Sequence, residues 1–270
     1  MLKRISYLFF VFALILVSVG CSPYQKVLNG TDVAEKYKEA ERYFREGEYK
    51  KANRLFEQVL PSYRGKPQAQ RVVFFYANTY FVTKNYYLAA YQFESFLKSF
   101  PKSDRTDEAT FMEAKSYYML SPEYSLDQAN TIEAMDKLQI FIDNYPNSSF
   151  LSEANGYVQE LQTKLEKKDF EIAKQYHTIR DYRAAIRALD NFIIGFPGTP
   201  FREDALYYKF LSAYEIATNS IASKKLSRLN DLKTIQETLL RYYPETLYLD
   251  DLEKKMKRVS KEITLLEKNT

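Results

Sequence analysis

Phe100-Pro101-Lys102-Ser103, Tyr145-Pro146-Asn147-Ser148, Phe196-Pro197-Gly198-Thr199 and Tyr243-Pro244-Glu245-Thr246 are four copies of one phrase: an aromatic residue, proline, any residue, then serine or threonine. Proline disfavours helical geometry in the residue before it, so each phrase ends a helix. The hydroxyl residue is expected to cap the helix that follows by accepting a bond from a free backbone N–H. A stop-and-restart signal recurring roughly every 45–50 residues predicts an array of helical repeats. Such arrays present a long surface and hold other proteins far more often than they perform chemistry.

Working outward from these phrases, a second periodicity appears. Ala40, Ala77 and Ala114 are spaced by 37 residues, as are Tyr43, Tyr80 and Tyr117, and the pairs Ala52/Ala89 and Phe56/Phe93 keep the same interval. A small residue lets two helix backbones approach, and the aromatic ring nearby fills the groove beside it. The pattern resembles the tetratricopeptide repeat, a helix–turn–helix of about 34 residues. Ala77, Tyr80, Ala89, Phe93 and Pro101 fall on its small, aromatic, alanine, aromatic and proline positions. The third repeat matches through Ala114, Tyr117, Ala134, Leu138 and Pro146, with a turn enlarged by Ser121-Pro122-Glu123-Tyr124-Ser125. The fourth matches through Ala173, Tyr176, Ala185, Leu189 and Pro197. The fifth keeps Ala213 but has Leu232 and Gln236 in place of alanine and an aromatic, and the first closes on Arg64-Gly65-Lys66-Pro67. The expected fold is all-α: a right-handed superhelical solenoid of about five tetratricopeptide-like helix pairs plus a C-terminal helix.

Two stretches depart from the repeat. From about 149 to 179 no proline interrupts the helical pattern Ala154, Tyr157, Leu161, Leu165, Ile172, Ala173, Tyr176, Ile179, which predicts one long helix. Near the end, Leu249, Leu252, Met256, Val259, Ile263 and Leu266 recur every three or four residues. That spacing suits a coiled-coil seam, but it is too short for one, and a terminal helix capping the last repeat is favoured.

The N-terminus carries an address. Lys3 and Arg4 precede an apolar run from Tyr7 to Val17, too short to span a bilayer and flanked like a signal peptide. Ser18-Val19-Gly20-Cys21 resembles a bacterial lipobox, which makes Cys21, the single cysteine, the expected lipidation site. Lipid chains contribute about 0.8 kcal/mol per buried methylene and hold a protein at a membrane. The divisions read from the sequence are a signal peptide (1–20), a lipidated tether (21–31), repeats 1–3 (32–148), the long helix with repeats 4–5 (149–246) and a C-terminal capping helix (247–270). The absence of an acidic cluster after Cys21 favours a periplasm-facing outer-membrane location.

Without Lys3 and Arg4 the chain has 37 basic and 35 acidic residues, too balanced for a nucleic-acid binder. Catalysis finds little support. His177, the one histidine, follows a packing tyrosine and reads as a surface or satisfied helix residue; no glycine-rich phosphate loop or metal-ligand pair is visible, and no cofactor is expected. The informative constellation is aromatic. In the first helix of each repeat, rings stand three residues before the small position (Tyr37, Phe74, Phe111) and four after it (Phe44, Phe81, Tyr118), with Glu41, Asn78 and Lys115 between them. Tyr37, Phe74, Asn78, Phe81, Phe111, Lys115 and Tyr118 are therefore the candidate groove for an extended, aromatic-rich peptide. The competing expectation is that some of these rings, Phe44 and Phe81 above all, belong to the core between repeats.

The lipobox at Cys21, the early repeats, the long helix before Tyr176 and the phrase Tyr182-Arg183-Ala184-Ala185…Phe196-Pro197-Gly198-Thr199 together resemble the BamD family of outer-membrane assembly lipoproteins, over most of residues 21–245. That resemblance implies a lipid-anchored part of the machinery that folds β-barrel proteins into the outer membrane, and no enzyme. It implies that the N-terminal repeats catch a terminal strand of unfolded barrels and that the C-terminal repeats dock on a BamA-like barrel protein. Other readings are a repeat adaptor for cell-wall enzymes or, disfavoured by the short chain and the absence of tryptophan, a SusD-like glycan-binding lipoprotein.

Overall fold

A computed structural model describes residues 23–268. Cys21 and the 1–20 leader lie outside the described residues. Among the described residues there are twelve helices and no strand. They are α1 (Pro23–Asn29), α2 (Val33–Arg45), α3 (Tyr49–Tyr63), α4 (Ala69–Val82), α5 (Tyr86–Ser99), α6 (Thr106–Leu120), α7 (Ala129–Asn144), α8 (Leu151–Thr178), α9 (Tyr182–Gly195), α10 (Arg202–Thr218), α11 (Ala222–Tyr242) and α12 (Leu249–Lys268).

The aromatic-proline phrases end α5, α7, α9 and α11. At Phe100, Phe196 and Tyr243 the backbone leaves the helical region, with φ of −134°, −129° and −134°. All four phrases then fold into the same turn. The N–H of Ser103, Ser148, Thr199 and Thr246 donates to the carbonyl of the phrase's own aromatic residue, at 3.0, 3.1, 3.2 and 3.2 Å. The sequence suggested that the hydroxyls cap the next helix, and they do not: the N-cap residues of α6 and α10 are Arg105 and Phe201, without a side-chain cap. Each hydroxyl oxygen instead accepts from the N–H two residues on (Arg105, Phe150, Phe201, Tyr248), each at 3.3 Å. The N-cap position falls two residues after the hydroxyl residue, so the side chain closes the turn itself.

Within a pair, the turn from first to second helix is also repeated. Glu48, Asn85 and Asp181 donate their N–H groups to the carbonyls of Tyr43, Tyr80 and Tyr176, each at 2.9 Å. This six-to-one bond requires a left-handed residue just past the helix end. Gly47 (φ 80°) supplies it at no steric cost, whereas Lys84 (φ 63°) and Arg180 (φ 66°) adopt it with a side chain present.

The helices group into two compact units. One comprises the chain up to Ser121 with Ala129–Tyr157; the other comprises Pro122–Gln128 with the chain from Val158 onward. The division falls inside α8 and not at the expected 148/149 boundary. The reason is that Phe150, just before α8, and Tyr157 within it pack on α6: Phe150 stacks on Phe111 at 4.7 Å and Tyr157 on Tyr118 at 3.9 Å. In the first unit the repeating alanines 40, 52, 77, 89, 114 and 134 are fully buried beside Phe56, Phe93 and Phe141. Burying each such ring stabilises the fold by about 1.5–3 kcal/mol. The assigned tether is partly folded: α1 lies against the first repeat, with Val27 buried and Tyr24 edge-on to Tyr43 at 5.5 Å.

In the second unit Ala173, Ala205 and Leu189 are buried around Phe170 and Phe192, and Ala185 is fully buried as well. Leu229, Leu232 and Leu239 of α11 fill the space that an alanine and a ring would fill in a standard repeat, and Leu252, Met256 and Val259 of α12 join that cluster. The final helix thus covers the last pair. Tyr176, read as a packing ring, is 38% exposed.

Candidate peptide-binding surface

The first-unit surface is built on α2, α4 and α6. Two of its seven expected residues are core. Phe74 is 2% exposed, with Phe96 and Phe93 at 5.5 and 5.8 Å. Phe111 is 1% exposed, between Phe150 and Phe141 at 4.7 and 5.4 Å. The position three residues before the small alanine faces the second helix of its own pair, so a ring there is covered by the aromatics of α5, α7 and the start of α8. Neither can touch a peptide.

The other five stay partly open. The Tyr37 hydroxyl donates to Glu41 at 2.5 Å, and its ring lies 5.1 Å from that of Tyr63. Burial and that carboxylate push the phenol up to about 12. Arg71 Nε holds the same Glu41 oxygen, Oε1, at 2.8 Å. Asn78 spends its amide on its own helix, donating to the Phe74 carbonyl at 3.0 Å. Phe81 is half-buried and edge-on to Tyr86 at 5.4 Å.

Lys115 and Tyr118 form the densest cluster. Lys115 Nζ donates to Glu153 Oε1 at 2.7 Å and lies 5.5, 5.7 and 5.9 Å from the rings of Phe111, Tyr157 and Phe81. The Tyr157 hydroxyl also donates to Glu153. Burial draws the ammonium down, but Glu153 and Tyr157 outweigh it, so Lys115 stays above its usual value; the same lysine holds Glu153 below the ordinary carboxylate range. A cation among three rings, beside a stacked tyrosine pair, offers apolar faces and an N–H donor to an extended chain. From the sequence, Tyr157 stands only in the long-helix pattern, and neither it nor Glu153 is singled out for the surface. The signal was there: Phe111 and Tyr118 are seven residues apart, as are Phe150 and Tyr157, so two helices present matching ring pairs two turns apart.

The second unit has an apolar cavity of about 560 Å³ lined by Tyr124, Lys168, Ile172, Tyr176 and Ile179 among others. The enlarged turn of the third repeat builds one wall. Gln128 braces that turn by donating to the carbonyls of Glu123 and Leu126, and Lys168 donates to Leu126 as well. His177 is a satisfied helix residue: its Nδ1 is 2.9 Å from Ser212 Oγ, which itself donates to the Tyr208 carbonyl, and burial lowers its pKa. Ser212 is fully buried, so the pair is structural. Among the described residues no group of three or more His, Cys, Asp or Glu could hold a metal ion, and no helix is long and apolar enough to cross a membrane.

Comparison with known proteins accords with this architecture. A sequence profile of the family YfiO, described as outer membrane lipoprotein, matches residues 30–229 and 176–269. The outer membrane protein assembly factor BamD of Helicobacter pylori is 23% identical over 167 residues, covering 59% of this chain and 71% of that protein. The protein of the same name from Rickettsia prowazekii is 24% identical over 181 residues, covering 67% and 72%.

Proposed function

This chain belongs to the YfiO family of outer membrane lipoproteins, and we propose that it serves the assembly of β-barrel proteins into the outer membrane as a non-enzymatic, lipid-anchored receptor. The observation that carries the reading is the extent of the family match, which runs through both units from residue 30 to residue 269. Two relatives bearing the name of an assembly factor support it. Acylated Cys21 is the anchor in this reading, and the chain faces the periplasm.

The first unit receives an extended, aromatic-ended strand of an unfolded barrel. Its contact residues are the open ones: Tyr118 and Tyr157 as a stacking platform, Lys115 as a donor to a peptide carbonyl, and Phe81 on α4 and Tyr37 on α2. Phe74 and Phe111 are withdrawn from this role and support it from beneath. The second unit docks on a periplasmic domain of the central barrel protein. Its apolar cavity beside Tyr176 offers a place for side chains of that partner.

The test is co-purification. The chain, tagged at its C-terminus, is recovered from cell envelopes in mild detergent and its partners identified. Recovery of a large β-barrel protein with periplasmic repeat domains supports the reading. Recovery of cell-wall enzymes or a nutrient transporter without that barrel overturns it.

A further inference from the structure

We infer that the outward face of α12 is a second membrane contact, a basic stripe that lies on an anionic phospholipid surface. Lys254, Lys257, Arg258 and Lys261 follow one another at three- and four-residue steps, and Lys268 continues the line. On a helix this spacing puts them on one face. All five are exposed. The opposite face carries Leu252, Met256 and Val259 into the core, so the stripe points away from the protein. From Lys254 to Lys268 it runs about 21 Å.

An ordinary solvated face mixes signs and pairs its charges, and much of this chain does so: Lys98 with Glu94, Lys209 with Asp190, Lys174 with Glu171. On α12 the paired groups lie to the side, Lys255 with Asp251 and Glu262 with Lys225. None of Lys254, Lys257, Arg258 and Lys261 makes an ion pair with another described residue. Asp250 and Glu253 stand a turn before Lys254 and Lys257 at the start of the stripe, and no acidic residue lies between Lys254 and Lys261.

The chemistry favours a bilayer over an acidic protein. Four of the five cations are lysines, point charges without the fork that recognises a particular carboxylate. The line is straight and includes one large apolar residue, Leu265, 62% exposed, at the depth where a headgroup layer would meet it. The buried apolar face prevents insertion, so the helix adsorbs flat through charge. The inference rests on the lipoprotein reading for its setting, since an anchored chain meets a bilayer continuously.

The experiment uses the chain from residue 21, which contains every described element, with Cys21→Ser so that no acyl chain is attached. It is mixed with vesicles of phosphatidylethanolamine containing phosphatidylglycerol, with phosphatidylcholine vesicles, and with polyglutamate. Binding to the phosphatidylglycerol vesicles alone is expected, weakened by salt and by roughly fivefold for each cation neutralised in Lys257→Gln and Lys261→Gln. Absence of vesicle binding, unchanged binding by the double variant with its helix content intact, or binding to polyglutamate in place of vesicles overturns the proposal. Mass spectrometry of the native N-terminus separates the two readings: an unacylated chain that still binds vesicles sinks the anchor and leaves the stripe standing.

Discussion

Replacing Phe111 by alanine decides whether the aromatic residues of α6 serve the core or the surface. Phe111 is 1% exposed and touches three rings, Phe150 stacked at 4.7 Å, Phe141 at 5.4 Å and Tyr157 at 6.4 Å. Truncating a buried phenylalanine costs about 3–5 kcal/mol, from lost transfer energy and the cavity left behind. Neighbours on α6, α7 and α8 form three walls of that cavity, so it cannot collapse by the motion of one side chain. At about 2–4 °C per kcal/mol for a unit of this size, thermal unfolding of the first unit should fall by roughly 6–20 °C. Scanning calorimetry reads this, and the second unit's unfolding should stay where it was. Tyr118→Ala is the control: its half-buried ring stacks on Tyr157, and about 1 kcal/mol is expected. A Phe111→Ala protein that unfolds within 2 °C of the parent, the limit set by about 1 kcal/mol, would refute the burial argument and return Phe111 to the peptide groove.

Other outcomes follow from the same geometry. Gly47→Ala should cost about 1 kcal/mol because a side chain is strained at φ 80°, while Lys84→Gly, at φ 63°, should be neutral or stabilising by up to about 1 kcal/mol; chemical denaturation distinguishes the two signs. Thr246→Val removes the hydroxyl that donates to Glu203 at 2.5 Å and accepts from Tyr248 N–H, and should cost about 1–2 kcal/mol by urea unfolding. Lys115→Met should weaken the first unit at neutral pH by under about 1 kcal/mol, since Glu153 is partly solvated. Glu153 sits below its usual pKa when folded, so the pair's contribution is present above the unfolded carboxylate pKa and is lost as pH falls through the folded one. The difference between parent and Lys115→Met should therefore vanish in acid, and a difference that persists there argues against the ion pair.

Much of the fold is legible because helix ends are local. Proline acts on the residue before it whatever the tertiary context, and Phe100, Phe196 and Tyr243 leave the helix as that rule requires. The 37-residue spacing of alanines is equally direct, since backbones approach closely only where no side chain intervenes. The role of the phrase hydroxyls was less accessible: Ser103 and Thr199 stand before the next helix as caps do, and only the turn's own bonds show that they close it instead. The site was the hardest to read. A ring at a given repeat position faces either a partner helix or solvent, and the choice depends on chain tens of residues away. Phe111 is buried by Phe150, 39 residues later, while Tyr176, at a packing position of the repeat, stays 38% exposed. Residues 21–31 are expected to form a tether, yet Tyr24 and Val27 pack α1 against the first repeat.

The most direct test of the central claim is site-specific photocrosslinking in cells. A photoreactive phenylalanine analogue replaces Tyr118, on the proposed strand-receiving surface, or Tyr91, an exposed ring on α5 outside it. The account predicts that newly made outer-membrane barrel proteins crosslink to position 118 and not to position 91. Crosslinks at 91 with none at 118 would contradict it.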